Sequence, residues 1–282
     1  MIDDRLQFSR PACGGVVTKR APHAGRLNGL CVILYAMPTS PIDIPNLIAF
    51  WDFQEPPGHH RVSKGPNQYA LQEHPSPIER IDDGVFGPHA MRVKQGQWLQ
   101  IARKDSPALN IAGPEAQVTV IAWLRRGLKT PRECEAVAGI WHETGKRRQY
   151  CMFIDLMIWN SGHQVGGHVS NVGGPTPGYP WCMDASIGAT PVPLGEWSCC
   201  GFTYDAHVAK SYLNGVLDVR DDRNPYPYEG GLFDPGESGA DFTVAAVHRA
   251  GEMGNWFVGD FGGLAVFDRA LTNAEMKSLA LP

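Results

Sequence analysis

No stretch of this 282-residue chain is long and apolar enough for a membrane-crossing helix: the longest candidate, Leu27 to Ala36, falls well short of the roughly 20 residues a bilayer core requires. Helical membrane insertion is therefore not expected. A surplus of positive charge is missing too, since 25 Lys and Arg stand against 29 Asp and Glu, a formal net charge of -4. A phosphate backbone is gripped by a basic face, so nucleic acid is not an expected partner. The seven cysteines show no C-x-x-C spacing and no dense framework, which argues against a zinc site. No G-x-S-x-G, no H-E-x-x-H and no glycine loop opening a helix is present, so three common catalytic and phosphate-binding devices are out. The Gly-Gly pairs at 166–167, 173–174 and 230–231 read as turns, and no internal repeat or low-complexity tract occurs.

What the chain does have is 32 Gly, 23 Pro and 43% hydrophobic residues, a balance suited to many short strands joined by turns around a sizeable core. From Leu47 onward, runs rich in β-branched and aromatic residues alternate with Gly, Pro, Asn and Asp. The pattern predicts strands at 47–53, 89–93, 97–102, 117–124, 136–143, 149–159, 196–205, 209–219, 241–247 and 262–268. Asn214-Gly215 supplies the positive φ angles of a two-residue hairpin turn. Cys199 and Cys200 fall in one strand and should point to opposite faces. Only the tail predicts a helix: Thr272 can cap it, Glu275 can reach back, and Met276 and Leu279 share a face. The fold class is thus all-β, a two-sheet antiparallel sandwich with a short C-terminal helix.

Residues 1–45 differ from the rest and read as a leader or extension ahead of a domain at 46–282. Lys19, Arg20 and Arg26 precede the apolar run from Leu27 to Ala36 in the order of a secretion signal, although the run is short and its cleavage end lacks a small residue at -3. The other simple account is a translation start at Met37.

The order of the segments resembles the laminin-G-like, concanavalin A-like jelly-roll domains. The likeness begins at LIAFWDFQE and continues through GVFGPHAMRVKQGQWLQI, QVTVIAWL and GEWSCCGFTYDAHVAKSYLNGVL to FVGDFGGLAVFDRALTNAEMKSL. The resemblance implies a jelly-roll sandwich, a glycan or polysaccharide partner, a secreted or periplasmic location and no obligatory cofactor. Such architectures host lectins, adhesion modules, glycoside hydrolases and polysaccharide lyases, so fold alone does not choose. Many relatives bind a structural calcium through an aspartate of the closing strand, where this chain has Gly262 and Gly263, leaving Asp260 and Asp52 as the available acids.

Residues 139–184 gather the residue types that sugars need, aromatic faces for C–H surfaces and planar polar groups for hydroxyls. Trp181 and Tyr179, in the Gly/Pro-rich loop NVGGPTPGYPW, are either ligand platforms or loop staples, and Trp141 reads first as core. Asp184 and Asp155 add carboxylates; Asp155, between Ile154 and Leu156, faces either a groove or solvent. A reading as a β-eliminating lyase on a uronic-acid polymer assigns carboxylate neutralisation to Arg148, the base to His142 or His168, and the acid to Tyr150 or Tyr179. A hydrolase reading needs two carboxyl groups across one bond, and Glu133, Glu135 and Glu143 show no E-x-D-x-x-E strand. Binding without cleavage is the leading expectation, lyase the alternative, hydrolase the third.

Overall fold

A computed structural model of the chain describes residues 39–129 and 132–281, with the backbone of two short strands, Gly25–Leu27 and Leu30–Val32. Those two strands form an antiparallel hairpin. The remaining expectations for 1–45, a secretion signal or a start at Met37, lie outside the described residues.

Two antiparallel sheets account for nearly all regular structure between Leu47 and Phe267. One has eight strands in the spatial order 185–187, 165–169, 150–154, 135–140, 242–244, 98–101, 70–74 and 61–62. The other runs 216–217, 208–213, 197–204, 118–126, 259–267, 90–93 and 79–81, with Leu47–Trp51 and Tyr226–Pro227 paired on as branches. Between the sheets lies one large apolar core containing Trp51, Leu71, Val120, Met152, Phe202 and Phe242. The two-sheet sandwich read from turn-punctuated strands is what forms.

Alternation along each strand decides what faces what. Cys200 enters the core between the sheets while Cys199 joins a second cluster on the outer face of the nine-stranded sheet, so the vicinal pair does point opposite ways. The helix Asn273–Ser278 closes that outer face. Its capping box is complete, with Thr272 accepting from the Glu275 N–H and Glu275 reaching back to the Thr272 N–H. Met276 and Leu279 are buried on it, and Trp123 Nε1 donates to the Leu279 carbonyl at 2.9 Å. Asn214-Gly215 turns the hairpin between Val208–Leu213 and Val216–Leu217 at φ 50° and 73°.

Two expectations are corrected. The 149–159 strand ends at Ile154, because Asp155, Met157, Trp159 and Asn160 all take positive φ, which interrupts a ladder. Gly166-Gly167 is not a turn but the middle of the strand Val165–Val169. A Cβ on Gly167 would sit 2.6 Å from the Phe202 ring, so glycine is there to let the two sheets approach.

An ionic clamp also joins the sheets. Arg126, ending a strand of the nine-stranded sheet, donates to both oxygens of Glu135 in the other sheet at 2.8 and 2.7 Å. All three partners of this buried set, Arg126, Glu135 and Asp155, are at most 3% exposed.

Candidate functional site

The outer face of the eight-stranded sheet is built by the same alternation. In Tyr150–Ile154, Tyr150, Met152 and Ile154 point into the sandwich, and Cys151 and Phe153 point out. Trp141, just past Glu135–Ile140, joins the outer group, and so does His168, whose ring lies 4.8 Å from Trp141 and 5.3 Å from Phe153. Loops 155–164 and 170–184 and the hairpin Val247–Arg249/Glu252–Gly254 roof this surface. A cavity of about 300 Å³ remains beneath them, lined by Trp141, Phe153, His168 and Arg148 from the sheet side. Trp181, Cys182, Leu156 and Ile158 come from the two loops. Arg132, Glu133, Glu143, Arg249 and Asn255 complete the wall with charge and amide.

Arg148 is 4% exposed, and its guanidinium carbon lies 5.7 Å from the Trp141 ring centroid. Nη1 donates to the Gly173 carbonyl at 3.3 Å, and Nε has no partner. Burial lowers its proton affinity below the usual guanidinium value. His168 Nδ1 lies 2.9 Å from the Asp184 carbonyl oxygen. A carbonyl only accepts, so the proton sits on Nδ1 and Nε2 keeps its lone pair. Burial drives the His168 pKa down to about 4, so the ring is neutral through the physiological range.

One Arg–Asn link holds two carboxylates to the cavity. Asn255 Nδ2 donates to Glu143 Oε1 at 3.1 Å, and Asn255 Oδ1 accepts from Arg249 Nη1 at 3.0 Å. The same Nη1 stands 3.4 Å from Glu133 Oε2. In the sequence Glu133 and Glu143 stand only as acids spaced by loop and strand, and nothing signals Arg249 and Asn255, which reach the site from a hairpin and the residue after it, over 80 residues downstream of His168.

Of the residues expected at a site, Trp141, His168, Arg148 and Trp181 share this cavity. The other five do not line it. Tyr150 is corrected outright: its hydroxyl donates to the Leu109 carbonyl inside the sandwich at 2.8 Å, and burial raises its proton affinity far above the ordinary phenol value. His142 stacks on His248 at 4.6 Å and accepts from the Gly145 N–H at 2.9 Å; burial first, then the His248 charge, lowers its pKa. Tyr179 packs edge-on to Trp159 at 5.8 Å, as a staple would. Asp184 accepts from Thr176 and from the Tyr226 hydroxyl. Asp155 is neither solvated nor in the cavity: it is 1% exposed, 3.1 Å from Arg132, 3.2 Å from His163 and 3.5 Å from Arg126. Burial alone would raise its carboxyl, but the Arg132 hydrogen bond and the His163 charge hold it below the usual carboxylate range.

The residues considered for calcium do not fit the ion. Asp260 gives one oxygen to Arg92 at 2.7 Å and the other to Arg125 at 2.8 Å, and Asp52 pairs with Lys64. Carboxylates already neutralised by cations are poor ligands for a hard divalent ion. A Cβ at Gly262 or Gly263 would come within 2.4 Å of Val85 or 2.7 Å of Phe86, so a side chain there would have to displace them.

No curated protein sequence matches the chain. Solved structures do. Domain 4 of a GH43 extracellular arabinanase from Geobacillus stearothermophilus, in complex with arabinotriose, aligns with a TM-score of 0.56 at 14% identity, over 84% of this chain and 98% of that one. The Trypanosoma rangeli sialidase bound to the inhibitor DANA aligns with a TM-score of 0.56 at 13% identity, over 86% of this chain and 34% of the sialidase. The binding domain of botulinum neurotoxin serotype G gives 0.54 at 11% identity, over 83% of this chain and 50% of that one. This chain therefore spans about a third of the sialidase's length and half of the toxin domain's. At such identities the likeness is one of fold. The model of the concanavalin A-like lectin/glucanases superfamily matches residues 94–277, and with the two antiparallel sheets and closing helix in place the chain belongs to that superfamily.

Proposed function

We propose that this chain binds a carbohydrate in the cavity on the outer face of its eight-stranded sheet. The observation that carries the reading is Trp181, which lies on that cavity 61% exposed and packs against no other aromatic ring among the described residues. A large apolar ring left facing solvent beside a polar cavity is a stacking surface for the C–H face of a sugar. Below it the groups divide by role. Arg148 offers donors, while Glu143 and the Nε2 of His168 offer acceptors, so hydroxyls of either polarity find partners. The arabinotriose on the arabinanase domain gives the same fold a sugar ligand and supports this assignment.

Affinity electrophoresis through gels carrying neutral and acidic polysaccharides tests it. Retardation in at least one gel, lost in Trp181→Ala with the melting temperature unchanged, is the expected result. Free migration in every gel, or a Trp181→Ala variant retarded as strongly as the parent, overturns it.

A second reading, hydrolysis, is favoured by Glu133 and Glu143 lining one cavity, since glycoside cleavage works with two carboxyl groups. Release of reducing ends that disappears in Glu143→Gln would establish it. The lyase reading is less well supported: of its two candidate acids Tyr150 lies inside the sandwich and Tyr179 does not line the cavity, and of its two candidate bases His142 does not line it and His168 holds a proton too weakly to take one efficiently near neutrality.

A further inference from the structure

Three arginines of the described residues are buried: Arg61, Arg126 and Arg148. Two of them carry a carboxylate at hydrogen-bond distance, Arg61 with Glu73 at 2.6 Å and Arg126 with Glu135 at 2.7 Å. The third has none. Arg148 makes a single 3.3 Å hydrogen bond to a carbonyl, its Nε, like that of Arg61, is unsatisfied, and it forms no ion pair within 4 Å among the described residues. Taking a guanidinium out of water is costly unless a counter-charge and hydrogen bonds replace the lost hydration. The other two buried arginines each have a directly bonded carboxylate, whereas the one that lines a cavity feels the Glu143 carboxylate only from beyond hydrogen-bond distance.

From this we infer that the cavity receives a carboxylate-bearing sugar residue, a uronic or related acid, whose carboxylate is gripped by Arg148; the inference rests on the carbohydrate reading above. A planar fork of N–H groups matches a planar carboxylate through two parallel hydrogen bonds, which is the pairing at Arg126 with Glu135. Trp141 backs the guanidinium, with 5.7 Å between its ring centroid and the guanidinium carbon. The acceptors around it complete the pattern. Glu143 and the Nε2 of His168 would repel a second carboxylate but take hydroxyl protons, so the ligand presents its acid toward Arg148 and its hydroxyls to these two. The other arginines of the wall are already engaged, Arg132 with Asp155 and Arg249 with Glu133 and Asn255. At about 300 Å³ the cavity is at the small end of ligand sites, the size for one terminal residue and not for a run of polymer.

Titration calorimetry with galacturonate, mannuronate and glucuronate oligosaccharides, each beside its carboxyl-methylated form and beside a sulfated oligosaccharide, is the test. The expected result is one acidic sugar bound about tenfold or more tighter than its methyl ester, with the preference lost in Arg148→Met and reduced in Arg148→Lys, which keeps the charge but not the fork. Melting temperatures of both variants, together with their retained affinity for the methylated form, separate loss of recognition from loss of fold. Neutral glycans bound as well as acidic ones would overturn the inference and leave the carbohydrate reading standing. Sulfated sugars preferred over carboxylated ones would also overturn it. Binding of no glycan at all would remove both.

Discussion

Acidification should expose His168. The imidazole is buried, neutral and hydrogen-bonded through Nδ1 to the Asp184 carbonyl, with Arg148 the nearby cation, so protonation would place a second positive charge in the same enclosed space. Its pKa falls from 6.5 to about 4 on folding. The sign follows from that direction. Above 6.5 neither state is protonated and the contribution is complete; below it the unfolded chain takes up a proton that the folded chain refuses, and stability drops until the folded group titrates near 4. Between about pH 7.5 and about pH 5 the loss comes to about 2 kcal/mol, most of it below pH 6.5. Urea unfolding at several pH values measures it, with His168→Asn as the reference, since an asparagine amide can overlay Nδ1 and keep the donor to Asp184. The variant is expected to be less stable at every pH, having lost the contacts with Trp141 and Phe153. Its stability should nevertheless fall less steeply with acid, by about 2 kcal/mol over that window. Parallel curves for the two proteins would refute the buried neutral histidine.

Gly167→Ala should destabilise by about 1 to 3 kcal/mol, because its new methyl group meets the Phe202 ring at 2.6 Å from across the core; an unchanged melting temperature would show the sheets can part. Thr272→Ala removes the helix cap and should cost about 1 kcal/mol in chemical denaturation, a loss that a serine at the same position largely restores. Glu275, held at a pKa of about 2 by the Arg269 hydrogen bond, contributes stability above its ordinary 4.5 and loses it as the pH falls from there toward 2. Glu275→Gln should therefore flatten that acid limb.

The architecture was legible because turns announce themselves. Asn214-Gly215, the capping pair Thr272 and Glu275, and most of the predicted strands lie where local chemistry put them. The misses share a cause. In Tyr150–Ile154 both faces are buried, one in the sandwich and one under the loops, so the strand reads as an unbroken apolar run with no polar face to mark inside from outside. Tyr150 could thus be assigned to the wrong side while Phe153, on the cavity, drew no notice. Val165–Val169 was hidden by its glycines, which answer to Phe202 in another sheet and not to a local turn. Asp155 looked like a lone acid because its partners, Arg126 and Arg132, are more than 20 residues away. Trp181 and Tyr179 were drawn from one Gly/Pro-rich loop as platforms or staples, and only the structure separates them, Trp181 on the cavity and Tyr179 against Trp159.

The two outer faces of the sandwich are finished in different ways. On one, the helix is stitched down by Trp123 and Leu279, so any change there is a change to the framework. On the other, residues 156–163 and 171–183 pass over the sheet without adding a rung to either ladder. Insertions, deletions or new side chains in those spans can recast the chamber's outline and charge while the strands beneath keep their register, which makes this lid the interchangeable part of the molecule.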